Sequence, residues 1–165
     1  MLQLSIMNKE TLKTVKKVHD LSKKKKMTLS VAESCTGGLI SHYLTVLPGA
    51  SIFFKAGIIA YSAAVKKSVL HVSSAVLREY GIVSAETAKE MAQKVRTLAK
   101  TDFSLSTTGN LGPDVLEGKK QGLVYIAVSK QGKTISRELR LKGNREKNKE
   151  NASLSALRFL VELAE

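Results

Sequence analysis

The sequence predicts an α/β protein, a three-layer α/β/α sandwich on a mixed, mostly parallel sheet of about five strands. Short runs rich in β-forming residues alternate with stretches of helical periodicity along the chain. Two of these runs end in loops of glycine and hydroxyl residues, where open α/β sheets bind their ligands. The last two runs are separated only by a short turn, so this pair must be antiparallel.

The first half of the chain supplies two of the predicted strands. Apolar residues recur every three positions from Leu12 to Leu21 and predict an amphipathic helix over residues 8–24. Pro48-Gly49 breaks the next helical stretch. The other elements predicted in this half are strands at 27–32 and 56–61 and helices at 39–47, 63–70 and 73–80.

The second half begins with the clearest helix of the sequence. Ser84 can cap this helix, and Glu86 lies in its first turn, where an acidic side chain is stabilising. Asn144 can cap the final helix in the same way. The elements predicted here are a helix at 84–99, strands at 102–107, 122–129 and 133–141, and a helix from Arg145 to about Ala164 whose inner stripe includes Ala152, Leu157, Leu160, Val161 and Ala164.

Length and composition indicate a globular domain. The 165 residues suit one domain over 1–165, because typical domains have about 100–200 residues. The chain is 43% hydrophobic and 25% charged, which is typical of folded proteins. No apolar run approaches the roughly 20 residues that cross a bilayer, and residues 1–20 lack the apolar block of a signal peptide. We therefore expect a cytoplasmic protein that does not bind membranes.

The sequence offers no pattern for a disulfide or a structural metal. Cys35 is the single cysteine and cannot form an internal disulfide. His19, His42 and His71 lie far apart, and no second thiol could complete a zinc site. We expect neither a metal nor a cofactor.

Basic residues are in large excess. The chain has 27 Lys and Arg against 14 Asp and Glu, a formal charge of +13 that favours anionic partners. Nucleic acid, an anionic small substrate and a general bias in lysine usage all fit this excess. The lysine-rich stretches at 23–26, 119–120 and 142–149 lack the interleaved aromatic residues of a base-stacking surface. We therefore favour solvated lysines and expect no specific nucleic acid partner.

Two predicted loops, 33–38 and 108–113, follow strands and place hydroxyl residues beside glycines. Glycines let a ligand approach the backbone, and a helix that starts after such a loop presents N–H groups. Neither loop matches the P-loop or the dinucleotide fingerprint, so the glycines could also serve only as turns. The candidate binding residues of these loops are Thr36, Gly37, Gly38, Thr108, Gly109 and Gly112.

Ser34 lies at a strand-to-helix turn, where a serine nucleophile can be exposed, but it needs a base. No histidine is predicted at a strand end beside a carboxylate, so a Ser-His-Asp relay lacks its parts. Tyr61 closes a strand and Lys66 follows five residues later, so both can point to one rim. A desolvated lysine has a lowered pKa and can take a proton or keep a neighbouring tyrosine acidic. On spacing alone, a surface Lys66, a core Tyr61 and a buried, inert Cys35 are the simpler interpretations.

A series of motifs in a fixed order carries a family resemblance. These motifs are Ala32-Glu33-Ser34-Cys35-Thr36-Gly37-Gly38, Pro48-Gly49-Ala50-Ser51, Gly57-Ile58-Ile59-Ala60-Tyr61-Ser62, Val83-Ser84-Ala85-Glu86, Thr108-Gly109, Gly112-Pro113 and Gly143-Asn144-Arg145. Together they resemble the CinA C-terminal domain family, which includes stand-alone nicotinamide-nucleotide amidases. The similarity covers nearly the whole chain from about residue 8, and its first heptapeptide is highly specific.

The resemblance implies an α/β/α sandwich that deamidates nicotinamide mononucleotide to nicotinic acid mononucleotide and ammonia. It implies Ser34 as the nucleophile of an acyl-enzyme, with Tyr61 and Lys66 as activating partners and no metal. Thr108 with its glycine loop, and Arg145, would orient the substrate or bind its phosphate. The partner is then a small anionic nucleotide, and we also expect a homo-oligomer. Larger family members carry an additional N-terminal domain, for which this chain has no room.

The chain departs from the family pattern in two places. Ala63-Ala64 replaces the usual Asn-Glu before the lysine. The second loop continues from Gly109 as Asn-Leu-Gly-Pro-Asp-Val-Leu, where the family has Ile-Ala-Gly-Pro followed by glycines, and the bulk of Leu111 could narrow the pocket. Three functions therefore stay open. They are the amidase, a degenerate homologue that only binds a nucleotide or a protein partner, and a basic nucleic-acid-associated protein.

Overall fold

The computed structural model describes residues 7–165, and its helices and strands follow the predicted order. These elements are α1 (Lys9–Lys25), β1 (Leu29–Glu33), α2 (Leu39–Thr45), β2 (Phe54–Ile59), α3 (Ala63–Ser68), α4 (Ser74–Glu79), α5 (Ala85–Ala99), β3 (Phe103–Gly109), β4 (Leu123–Lys130), β5 (Lys133–Arg140) and α6 (Arg145–Ala164). A 3-10 turn at Ala50–Ile52, which was not predicted, precedes β2. The prediction that residues 1–20 do not form a signal peptide rests partly on residues 1–6, which lie outside the described range.

The five strands form one mixed sheet in the order β2-β1-β3-β4-β5. The pairs β1–β2 and β1–β3 are parallel, whereas β3–β4 and β4–β5 are antiparallel. Strand β4 is therefore antiparallel to the other four strands, as the predicted hairpin of the last two strands requires. The expectation of a mostly parallel sheet is slightly wrong, because the hairpin adds both of its strands at one edge and makes half of the pairings antiparallel.

Helices cover both faces of the sheet, which confirms the three-layer α/β/α sandwich. On one face, Val15 of α1, Ile40 of α2 and Leu157 of α6 share a core with alternate residues of β1, β3 and β4. On the other face, Met91 and Val95 of α5 pack with the segment that carries α3. The predicted inner stripe of α6 is buried at every position, from Ala152 to Ala164.

Small polar side chains let α5 lie close to its face of the sheet. The hydroxyls of Ser104 and Ser106 donate to the carbonyls of Ala92 and Ala88, at 2.5 and 2.6 Å. Each buried hydroxyl thus has a hydrogen-bond partner, and the helix residues at these contacts are alanines, which are small. The close packing places the start of α5 near the carboxyl end of β3.

The carboxyl ends of β1, β2 and β3 lie side by side, since these strands are parallel neighbours. The turns that follow them bring residues 34–38, 60–66 and 110–116 to one edge, where α/β sheets bind ligands. Within residues 7–165, no helix is long and apolar enough to cross a bilayer. The same range holds no cluster of His, Cys, Asp or Glu that could bind a metal ion.

Candidate active site

Ser34 follows β1 directly and contacts the lysine predicted from its spacing. Its backbone N–H donates to the carbonyl of Thr107 at 3.0 Å, which fixes the serine against β3. The Lys66 Nζ and the Ser34 Oγ lie 2.7 Å apart in a hydrogen bond. Ser34 is 7% exposed and lines a pocket at this edge of the sheet.

Lys66 is fully buried, so its interpretation as a surface lysine is wrong. The Ser62 hydroxyl caps α3 by accepting from the N–H of Val65 at 3.1 Å, which starts the helix directly after β2. Lys66 then lies in this short helix and donates to the carbonyl of Ala60 at 2.7 Å. Burial lowers the pKa of Lys66 to about 8, because the low-dielectric interior disfavours the charged ammonium.

The two side chains together can move a proton. A neutral amine keeps two N–H donors and one lone pair, so it can donate to the Ala60 carbonyl and still accept the proton of Ser34. Because its pKa is lowered to about 8, Lys66 is neutral in a much larger fraction of the protein near neutral pH than an exposed lysine is. The pair therefore has the geometry of a nucleophile beside its base, without a histidine.

Cys35 lies beside the serine, but its environment keeps the thiol protonated. The side chain is buried, and this burial raises the pKa of Cys35 to about 12. Since the thiolate is the reactive form, Cys35 is inert near neutral pH. Its interpretation as a small buried side chain fits the structure.

Tyr61 lies at the mouth of the pocket and not in the core, so the core interpretation is wrong. The side chain is 58% exposed, and its hydroxyl accepts from the Arg145 Nη2 at 2.8 Å. The Arg145 Nη1 donates to the carbonyl of Gly112 at 2.7 Å. The structure thus joins Tyr61 to Arg145, and it shows no hydrogen bond from Tyr61 to Ser34 or Lys66.

Thr36 and the first residues of α2 form hydrogen bonds with the side chain of Glu33. The Thr36 hydroxyl is buried and donates to the Glu33 carboxylate at 2.6 Å. The N–H groups of Gly38, Ile40 and Ser41 donate to the same carboxylate. These donors are therefore bonded to Glu33, and the roles of Thr36 and Gly38 in binding a ligand stay predictions.

The glycines of this first loop are needed for the turn. Gly37 and Gly38 have φ angles of 56° and 97°, in the left-handed region that favours glycine. A Cβ on Gly38 would lie 3.0 Å from the Ile59 Cδ1. The N–H of Gly37 donates to the carbonyl of Ser34 at 3.0 Å, and Gly37 does not line the pocket.

Thr108 does not face the pocket. Strand β3 continues to Gly109, two residues beyond its predicted end, and the Thr108 hydroxyl points to the α5 side and donates to the Ile82 carbonyl at 2.8 Å. Thr108 does not line the pocket, and its contact with substrate stays a prediction. Gly109 does line the pocket, and a Cβ there would lie 2.6 Å from the Leu123 carbonyl oxygen.

Residues 110–119 form an ordered loop that narrows the pocket. The Asn110 side chain donates to the carbonyls of Leu116 and Lys119 and accepts from the N–H of Leu116. The Asn148 side chain donates to the carbonyl of Leu111 at 3.0 Å. The pocket has a volume of about 200 Å³ and is lined by Ser34, Cys35, Tyr61, Gly109, Asn110, Leu111, Asp114, Leu116 and Arg145. Gly112 contributes through its carbonyl bond to Arg145 and does not line the pocket.

Some residues that shape the site had no clear signal in the sequence. Asn148 lies inside a helix, and nothing local indicates that its side chain reaches Leu111. Glu33 ends a strand before a glycine loop, a weak sign that a carboxylate could cap the following helix. Asn110 differs from the family pattern, but nothing in the sequence indicates that its side chain holds the loop.

The histidines and the lysine run lie outside the site. His19 is buried, its Nε2 bonds to the Leu44 carbonyl at 2.9 Å, and burial lowers its pKa. His42 and His71 do not line the pocket. The exposed lysines 23–26 end α1 and precede β1, which places them at the opposite edge of the sheet.

These features define a class of α/β/α sandwich protein with a serine–lysine pair at the carboxyl edge of its parallel strands. The chain belongs to the CinA C-terminal domain family, whose model matches residues 11–164. The predicted family is therefore confirmed.

Relatives and solved structures agree with this membership. A relative from Caldanaerobacter subterraneus subsp. tengcongensis, whose name refers to competence-damage inducible proteins, is 46% identical over 137 residues, 82% of this chain and 33% of that protein. A CinA-like protein from Dictyoglomus thermophilum is 43% identical over 144 residues, 87% of this chain and 35% of that protein. The chain thus spans about a third of the length of these curated relatives.

The fold is also shared with crystal structures. A competence or damage-inducible protein from Enterobacter asburiae has a TM-score of 0.92 and 28% identity, covering 96% of this chain and all of that one. A competence/damage inducible protein from Agrobacterium tumefaciens has the same TM-score and identity and covers 96% of this chain and 98% of that one. The predicted fold class is therefore confirmed.

Proposed function

We propose that the chain is an amidase that hydrolyses nicotinamide mononucleotide to nicotinic acid mononucleotide and ammonia. The observation that carries this proposal is the 2.7 Å hydrogen bond between Ser34 and a fully buried Lys66. A buried lysine is unfavourable unless it is paired or has a chemical task. Family membership and the position at the carboxyl edge of the sheet support the same reaction.

The reaction proceeds through an ester on Ser34. Neutral Lys66 takes the proton of the Ser34 hydroxyl as the oxygen attacks the carboxamide carbon. The Lys66 ammonium returns this proton to the amide nitrogen, the C–N bond breaks, and ammonia leaves. Lys66 then takes a proton from water as the water oxygen attacks the ester, and this proton returns to Ser34. The net change is amide plus water to carboxylic acid plus ammonia.

The charges at the pocket suit a nicotinamide nucleotide. Arg145 uses two of its five N–H donors for Tyr61 and Gly112, so three stay available for a phosphate. Asp114 adds a carboxylate to the same pocket, which attracts the positive charge of the nicotinamide ring. Tyr61 in this scheme orients Arg145 and takes no proton.

A second candidate is a homologue that binds the nucleotide without turnover. The narrow pocket favours it, since 200 Å³ is below the range of about 300–1,000 Å³ that is usual for ligand sites. Ammonia release and titration calorimetry with nicotinamide mononucleotide distinguish the two. Product with ammonia supports the amidase, whereas binding heat without either product supports the second candidate.

The pH dependence should report Lys66. Because the neutral amine is the active form and its pKa is about 8, kcat/KM should rise about tenfold per pH unit below pH 8 and level off above it. Steady-state ammonia release between pH 6.5 and 9.5 measures this curve. A flat profile over that range would remove Lys66 as the base.

Arg145→Ala should weaken binding of the nucleotide by about 10- to 100-fold, the loss expected for charge-assisted hydrogen bonds to phosphate. Calorimetry at near-physiological salt measures the dissociation constant.

The control for Arg145 is a variant with glutamine at Lys23, Lys24 and Lys26. Lys25 is left unchanged, since its Nζ donates to the carbonyls of Ala164 and Glu165. Affinity in this control should stay within about twofold, because charges beyond the Debye length of about 8 Å are screened. A different outcome would be that the unchanged protein binds DNA or RNA tightly and in a salt-resistant way, that the lysine variant loses this binding, and that the unchanged protein gives no heat with the nucleotide. The hypothesis of a nucleic-acid-associated protein would then replace the amidase.

A further inference from the structure

Glu33 is a buried carboxylate that the proposed reaction does not use. The side chain has no exposed surface, and its two oxygens accept five hydrogen bonds. The donors are the Thr36 hydroxyl and the N–H groups of Gly38 and Ile40 on Oε2, and the N–H and hydroxyl of Ser41 on Oε1. The five distances lie between 2.6 and 3.1 Å. Glu33 thus holds both the turn after β1 and the first turn of α2.

This carboxylate is directed away from the pocket. Side chains alternate across a strand, so Glu33 at the end of β1 points to the α2 face, and Ser34 points to the face that carries Lys66. The pocket that Ser34 lines does not include Glu33. Glu33 is also not among the groups that shift the pKa of Lys66, so its effect on the reaction passes through the backbone that it holds.

The backbone between the two residues leaves little freedom. The N–H of Ser34 donates to the carbonyl of Thr107, and its carbonyl accepts from the N–H of Gly37 at 3.0 Å. The Thr36 hydroxyl, besides donating to Glu33, lies 2.8 Å from the Thr107 hydroxyl. The turn at Ser34 is therefore fixed on one side by β3 and on the other by Glu33.

We propose that Glu33 is a positioning residue, which sets the Ser34 hydroxyl against Lys66 by fixing the turn 34–38 from the opposite face of the sheet. This role rests on the proposed serine chemistry and adds a residue to it. Glu33 contacts no substrate atom, so its loss should act on the rate of attack and not on affinity.

Glu33→Gln tests this role with nearly the same shape. A carboxamide has only one oxygen, so its NH₂ group must face at least one of the N–H groups that now donate to the carboxylate. The turn must shift to relieve this contact, and a small misplacement of a nucleophile costs about 10- to 100-fold in rate. We expect kcat for ammonia release to fall by about this factor, with KM changed less than about threefold.

An alkyl fluorophosphonate gives a second readout that does not depend on the natural substrate. The Ser34 oxygen forms a bond to phosphorus, fluoride leaves, and the serine proton passes to Lys66. The rate of this labelling, followed by mass spectrometry, should fall in Glu33→Gln by the same factor as kcat. If nicotinamide mononucleotide is not hydrolysed but labelling still depends on Glu33, the proposed function fails and the positioning role stands.

Asp102→Asn and Ser41→Ala are the matched variants. Asp102 accepts from the N–H and hydroxyl of Thr28 at 2.7 and 2.8 Å, at the opposite edge of the sheet. Asp102→Asn should therefore lower the melting temperature and leave the labelling rate within about twofold.

Ser41→Ala removes one of the five hydrogen bonds to Glu33 and keeps the test usable if Glu33→Gln does not fold. It should slow labelling by about threefold. The proposal is overturned if Glu33→Gln, or Ser41→Ala in its place, labels at the unchanged rate, or if Glu33→Gln raises KM without lowering kcat.

Discussion

Ser34→Ala should lower ammonia release from nicotinamide mononucleotide by at least about a thousandfold, the scale on which loss of a nucleophile acts. The change removes the attacking oxygen and one hydrogen bond, to Lys66. Such a bond contributes about 1 kcal/mol to stability, so the melting temperature should change by only about 2–4 °C. Activity and thermal unfolding measured on the same sample separate loss of chemistry from loss of fold.

Cys35→Ser is the control for this prediction. Its thiol has a pKa raised to about 12 by burial, so the variant should keep most of the activity. Loss of turnover in Cys35→Ser, with full turnover in Ser34→Ala, would move the nucleophile to the thiol.

Lys66→Met should lower kcat by about two or more orders of magnitude, the contribution of general base catalysis. Methionine has a similar length and no basic nitrogen, so substrate affinity should change less than the rate. Stopped-time ammonia assays over a range of substrate concentration give both parameters. A normal kcat with a raised KM would make Lys66 a phosphate contact instead of the base.

The same variant should be more stable than the unchanged protein at pH 7. At pH 7, burying a lysine whose pKa falls from 10.5 to about 8 lowers the free energy of unfolding by about 3 kcal/mol. Methionine also loses the hydrogen bonds of Lys66 to Ala60 and Ser34, which together cost about 2 kcal/mol, so Lys66→Met should be more stable by about 1 kcal/mol.

The pH dependence of this stability follows from the direction of the pKa shift. Between pH 8 and 10.5 the unfolded chain binds more protons at Lys66 than the folded chain does, so the unchanged protein gains stability as pH rises. Urea unfolding should therefore show that the stability advantage of Lys66→Met at pH 7 shrinks and then reverses toward pH 10. A Lys66→Met variant that is less stable at pH 7 would contradict a desolvated lysine.

The sequence predicted the fold well because its signals are local. Apolar periodicity located α1 and α5 to within one residue at either end, and the caps at Ser84 and Asn144 form as expected, each accepting from an N–H three residues on. The balance of parallel and antiparallel pairs was harder to predict, since it depends on where the β4–β5 hairpin joins the sheet.

The site was predicted only in part, because its contacts join distant residues. The spacing of Tyr61 and Lys66 could not show that the lysine turns inward and the tyrosine outward to Arg145. Because β3 extends two residues further than predicted, Thr108 is a strand residue whose hydroxyl is bonded to the Ile82 carbonyl, and not a loop residue beside the pocket. The bonds of Glu33 span up to eight residues, and that of Asn148 to Leu111 spans 37, so local sequence patterns indicate the first only weakly and the second not at all.

The covalent step is the central claim, and mapping the ester tests it most directly. The unchanged protein is mixed with nicotinamide mononucleotide, quenched in acid during turnover, digested and analysed by mass spectrometry. The account predicts that the nucleotide, minus ammonia, is attached to Ser34 and that Ser34→Ala forms neither this adduct nor product. An adduct on Cys35, or product formed by Ser34→Ala at the unchanged rate, would contradict it.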